Sequence, residues 1–186
     1  MTATIYRTTD HERVPSPPTR LSMTPAGSAP GLLDGAWWPR SRDLSRELPA
    51  LIGVLDARCG RITRVTVNPA HWPVVPRKVP VAGHTVHVGW FADEQDRNVL
   101  TLVSYTAGRW DLLVIPPETG AAAAARLMLA AATPGGLVTA SGLMANEDTA
   151  RDGREALNRE EEWETDGGAT PTAGNPFGLP SSARRV

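Results

Sequence analysis

One cysteine stands among 186 residues. Cys59 therefore has no second thiol for an intramolecular disulfide and cannot contribute to a cysteine-based metal cluster. Long apolar runs are missing as well, since no stretch approaches the roughly 18 apolar residues of a membrane span. The first residues, Met1 to Pro18, are polar and proline-rich, without the apolar run of a signal peptide. Together these absences point to a cytoplasmic protein with no membrane contact. Lysine is almost absent too: Lys78 is the single one beside 18 arginines, which favours bidentate anion contacts and aromatic stacking over diffuse ammonium charge. Phenylalanine and tyrosine number two each, so six tryptophans and the aliphatic residues must supply the core volume.

A strong excess of one charge is also lacking. The net charge of -1 conceals an asymmetry, because residues 1–144 carry 14 basic and 11 acidic side chains, while 145–186 carry 5 basic and 9 acidic. A net +3 over the first 144 residues is too weak for a nucleic-acid-binding face, so nucleic acid is not an expected partner. No Gly-x-Ser-x-Gly elbow, phosphate-binding loop or dinucleotide fingerprint occurs, so no cofactor is expected. His84 and His87 suggest a metal pair, but residues at i and i+3 on a strand point to opposite faces, so no metal is expected there.

What is present reads as one α+β domain between two polar ends. Hydrophobic residues at 41% and charged ones at 21% match ordinary globular usage. Residues 1–19 hold no periodicity and are expected to be a disordered lead-in, with the domain spanning 20–136 and a disordered acidic tail over 137–186. Within the tail, Arg154 to Trp163 is a possible transient helix. Leu21 and Met23 alternate as in a short strand, and Trp38 is held extended by Pro39. Leu44, Leu48, Leu51, Ile52 and Leu55 form one apolar stripe of a helix over about Asp43 to Arg58, kinked or restarted at Pro49 and stopped at Gly60. Thr63, Val65 and Val67 form a strand ended by Asn68-Pro69. Two hairpins follow, Val79 to Trp90 around Ala82-Gly83 and Val99 to Ile115 around Thr106-Ala107-Gly108, the latter after an acidic connection from Asp93 to Asp96. An alanine-rich helix over about Gly120 to Ala132 is expected to be capped by Thr119. The consecutive hairpins predict an antiparallel sheet with both helices on one face.

Several of these residues occur together in a known family. Gly35-Ala36-Trp37-Trp38-Pro39-Arg40-Ser41-Arg42-Asp43-Leu44, Glu47-Leu48-Pro49, Gly60-Arg61-Ile62, Asn68 with Trp72, and Leu113-Val114-Ile115-Pro116-Pro117 resemble a family of small actinobacterial proteins catalogued as domain of unknown function 5994, over about residues 20–133. The resemblance implies a taxon and a domain boundary, and the arginine bias fits a GC-rich source. It carries no activity or ligand.

The segment from Asp34 to Asp43 is the densest group of functional residue types, with Trp37, Trp38, Arg40 and Arg42 ahead of a helix N-terminus whose free N–H groups attract anions. The bland alternative is that Asp34 and Asp43 pair with Arg40 and Arg42 to fix the loop. His71 and Trp72 lie in a Pro-flanked loop where an exposed histidine can act as an acid or base, although no carboxylate is near in sequence to orient it. Five indoles, Trp37, Trp38, Trp72, Trp90 and Trp110, would form a stacking platform if exposed together, but core packing is the commoner use, and Trp90 keeps step with the core valines Val86 and Val88. Cys59 at a helix end reads as a small packed residue. The reading is a non-catalytic binding or regulatory module using Asp34, Trp37, Trp38, Arg40, Arg42, His71 and Trp72 toward a protein or a small anionic ligand. Its alternatives are a small enzyme built on Asp34, Arg40 or His71, and an RNA-binding protein. The sequence leaves the oligomeric state open.

Overall fold

In a computed structural model of the chain, residues 17–91 and 96–166 are described. The expected lead-in over 1–16, most of the acidic connection before Asp96 and the tail over 167–186 lie outside them. Residues through Asp148 make one compact unit and those from Thr149 on a second.

The first unit starts with strands β1 (Leu21–Met23) and β2 (Gly35–Trp37), followed by helix α1 (Leu44–Cys59). Asp43 caps that helix, its Oδ1 accepting from the Arg46 N–H at 3.2 Å. Leu44, Leu48, Leu51, Ile52 and Leu55 are all buried, as their spacing predicts, each contributing about 1.5–3 kcal/mol of transfer free energy. Pro49 lies inside the helix without ending it, and Gly60, at φ 69°, provides the left-handed stop. Next come β3 (Ile62–Val67), a single 3-10 turn (Pro69–His71), the hairpin β4 (Lys78–Val81) and β5 (His84–Trp90), and the hairpin β6 (Val99–Ser104) and β7 (Gly108–Val114). Helices α2 (Ala121–Ala131) and α3 (Ala140–Asp166) close the described chain.

The seven strands among the described residues form one sheet in the order β1-β2-β7-β6-β3-β5-β4. The fold is α+β, but the sheet is mixed, which corrects the antiparallel expectation: β2 runs parallel to β7, and β3 parallel to β5. The two hairpins themselves are antiparallel as expected. What local turns could not reveal is that β5, rather than β4, lies against β3, leaving Pro80 and Lys78 on the outer strand, where a missing N–H costs nothing. Gly35 permits the β1–β2 approach, because a Cβ there would stand 2.1 Å from the Ser22 carbonyl oxygen.

The helices do not share a face. Leu112 and Val114 of β7 pack with Trp37 and the α1 leucines, while Leu113 and Ile115 pack with Ala36, Leu33 and the α2 residues Ala124 and Leu127. Since neighbours on a strand point to opposite sides, α1 covers one face of the sheet and α2 the other at the β2–β7 end. Three narrower expectations also change. Trp90 is 46% exposed rather than core. Gly120, without a side-chain hydrogen bond, occupies the cap position of α2 in place of Thr119. The segment from residue 137 is not disordered throughout: α3 begins at Ala140, which is buried in the second core cluster, with Leu143 and Met144 packed against it. Its polar composition hid a short apolar anchor.

The second unit comprises the helical residues from Thr149 onward, including the stretch from Arg154 to Trp163. Arg151 stands 3.9 Å from Glu155 one turn later, and Leu157 and Trp163 are exposed.

Candidate functional site

A cleft lined by three arginines lies where β1 meets the end of β2. Antiparallel pairing sets Leu21 opposite Trp37, and the Trp38 N–H donates to the Arg20 carbonyl at 2.9 Å. Arg20 is thereby delivered to the Trp38 ring, its Cζ 3.5 Å from the ring centroid. Its Nε donates to the Trp38 carbonyl at 2.9 Å and its Nη2 to the Pro39 carbonyl. Burial pulls the Arg20 pKa below its ordinary value and the nearby Arg40 charge adds to that, against a weaker opposing effect of Glu47. Positive charge is crowded here.

The opposite wall comes from the α1 entrance. Glu47 accepts from the Arg40 backbone N–H at 3.1 Å through Oε2 and from the Ser41 hydroxyl at 2.8 Å through Oε1, so both carboxylate oxygens are engaged in holding the loop. Arg40 donates through Nη2 to the Pro18 carbonyl at 3.1 Å. The Arg46 guanidinium has no partner among the described residues, and neither does the buried Trp38 Nε1. Arg20, Trp37, Trp38, Arg40, Ser41, Arg46 and Glu47 together line a cleft of about 330 Å³. Three arginines and one glutamate thus line the cleft.

Trp37 backs the cleft from the core, and the other residues singled out by the sequence lie elsewhere. Trp37 and Trp72 are both core, stacked with centroids 5.6 Å apart and planes 20° from parallel. This rules out a stacking platform in which both take part. Arg42 donates through Nη1 to the His71 carbonyl at 3.1 Å and pairs through Nη2 with Glu118. The His71 Nε2 stands 3.3 Å from Asn98 Nδ2. Burial, and then the Arg42 charge, hold the His71 pKa below the ordinary histidine value. Beyond Asn98 the network continues: the Ser141 hydroxyl donates to Asn98 Oδ1 at 3.2 Å and to Asp96 Oδ1 at 2.6 Å, while the Ser141 N–H donates to Asp96 Oδ2 at 2.9 Å. Burial acts to raise the Asp96 pKa, but the hydrogen bonds from Ser141 and Asn98 outweigh it and hold it low. The network ties α3 to the sheet.

Asp34 sits at the other end of β2, where its Oδ2 accepts from the Asp111 N–H at 2.8 Å. The expected pairing of Asp34 and Asp43 with Arg40 and Arg42 does not occur among the described residues: Asp43 caps α1, and Arg42 takes Glu118. Asp34 and Arg40 line different cavities and His71 lines neither, so the three groups of the enzyme alternative do not converge. Arg20, Arg46 and Glu118 were not singled out, because sheet pairing and a helix turn, rather than nearness in sequence, bring them to their places.

Among the described residues, no helix is long and apolar enough to cross a membrane. Among known protein families, residues 20–131 match a model described as a family of unknown function (DUF5994). No curated protein and no solved structure matches the chain.

Proposed function

We propose, from the premise that this chain belongs to the family of unknown function DUF5994, that it is a non-catalytic binding module whose arginine cleft takes a small anionic ligand. One observation carries the reading: Arg20, Arg40 and Arg46 line a single cleft in which Glu47, the one carboxylate among its described lining residues, is already committed on both oxygens. Uncompensated guanidinium groups present planar, bidentate donors that suit a phosphate or carboxylate. Arg20 is pre-positioned by two carbonyls and an indole, so it loses little freedom when a ligand arrives. A volume of about 330 Å³ falls at the small end of ligand pockets, which admits a small molecule. Trp38 and Arg40 remain in this reading. Trp72, His71 and Arg42 move to supporting roles, Asp34 lies outside this cleft, and Trp37 backs the cleft from the core.

Isothermal titration with inorganic phosphate and with phenyl phosphate tests it. Arg40→Ala with Arg46→Ala should leave the unfolding midpoint nearly unchanged, since the two side chains make one surface hydrogen bond between them. Binding should weaken at least about tenfold, equivalent to about 1.4 kcal/mol, and should fall further with added salt. A double mutant that binds as the wild type does would overturn the assignment.

A further inference from the structure

We infer that the larger cavity beside β1 is a second, separate site, for the zwitterion of an apolar amino acid. The cavity measures about 670 Å³ and lies between the 24–34 loop and the end of α1, within the usual range for small-molecule sites. Met23, Leu33, Cys59 and Trp110 give it an apolar wall. Burial pushes the Cys59 thiol pKa up, which keeps it protonated and makes it part of that wall.

Two opposite charges line this cavity without neutralising each other. Asp34 spends Oδ2 on the Asp111 N–H and has no ion pair among the described residues, which leaves Oδ1 open. The Arg58 guanidinium, in the last turn of α1, is exposed and makes no hydrogen bond or ion pair among the described residues. Thr24, also on the wall, holds a buried hydroxyl oxygen without a partner. A simple cation would meet Arg58, and a simple anion would meet Asp34. A molecule carrying both charges on one carbon avoids both repulsions: its ammonium faces Asp34, its carboxylate faces Arg58, and its side chain rests on Trp110 and Met23. The site is distinct from the arginine cleft, with which it shares no lining residue.

The experiment is equilibrium titration of the full chain with L-phenylalanine, L-leucine and L-tryptophan, alongside phenethylamine and 3-phenylpropionate, which each keep only one of the two charges. At least one amino acid should bind with a dissociation constant of about 1 mM or tighter, and each single-charge analogue at least about tenfold more weakly than L-phenylalanine. Arg58→Gln, at an exposed position, should weaken L-phenylalanine but not phenethylamine and should leave phosphate binding unchanged. Ala26→Phe, which fills the cavity from its exposed loop, should remove amino-acid binding while the circular-dichroism midpoint is retained. No binding of any of the three amino acids up to about 10 mM, equal affinity for the single-charge analogues, or unchanged binding in a folded Ala26→Phe protein would each overturn the inference.

Discussion

His71 shows how a residue with a chemically suggestive side chain ends in a structural role. Its ring meets Asn98, its carbonyl receives Arg42, and burial disfavours its charged form. Because the folded pKa lies below the unfolded one, the unfolded chain binds a proton that the folded chain refuses. The associated stability is therefore complete above the ordinary histidine value of about 6.5 and is lost as pH falls below it. Urea midpoints between about pH 7 and pH 5 should decline for the wild type and flatten in His71→Gln, and identical slopes would contradict the account. Asp96 and Glu118, both held low, contribute in a separate window, losing their contribution only as pH falls through their depressed values below about 4. The sequence nominated Trp37, Arg42, His71 and Trp72 as candidates, and the structure relates them through the Arg42 donation to the His71 carbonyl and the Trp37–Trp72 stack. Which of them would be buried was not legible, because that depends on Glu118 and Asn98 arriving from remote elements.

At the scale of elements, α3 is the piece whose role differs most from its composition. Three contacts hold its first turns: Ala140 in the second core cluster, Ser141 on Asp96, and Glu147 on Arg126, where Arg126 Nε donates at 3.0 Å. A chain ending at Gly136 should unfold about 5 °C or more below the full chain, roughly 1 kcal/mol or more for a domain of this size, whereas one ending at Asp148 should keep most of the midpoint. Scanning calorimetry of the two truncations decides it, and equal midpoints would show that the helix is not docked. Elements specified by neighbours were legible: the α1 stripe, the two hairpins and the alternation of β3. Elements specified by distant partners were not. Nothing local in Gly35–Trp37 announces a parallel partner at Leu112–Val114, and Leu143 with Met144 is too brief an apolar signal to mark an anchored helix.

For the whole molecule, the sheet of the described residues ends in β1 on one side and β4 on the other. β1 is only three residues long, and β4 carries Lys78 and Pro80, two features that discourage another chain from adding a strand. Lys78→Val with Pro80→Val should make this edge adhesive, seen in light scattering as growth in mass with concentration beyond that of the wild type. An unchanged mass at all concentrations would show that this edge is protected in another way.

The parallel pairing of β2 with β7 also orders events during synthesis. Arg20, Trp38, Arg40 and Arg46 leave the ribosome early, but the strand that bears Trp37 is held in the sheet by Leu112 and Val114, some 75 positions later in the chain. Until β7 emerges and its hairpin with β6 closes, β2 has no parallel neighbour to pin it, and the arginines are side chains on a loose segment. A nascent chain stalled before Gly108 thus displays all the cleft's charges and none of its geometry. The cleft takes its shape only once most of the sheet exists.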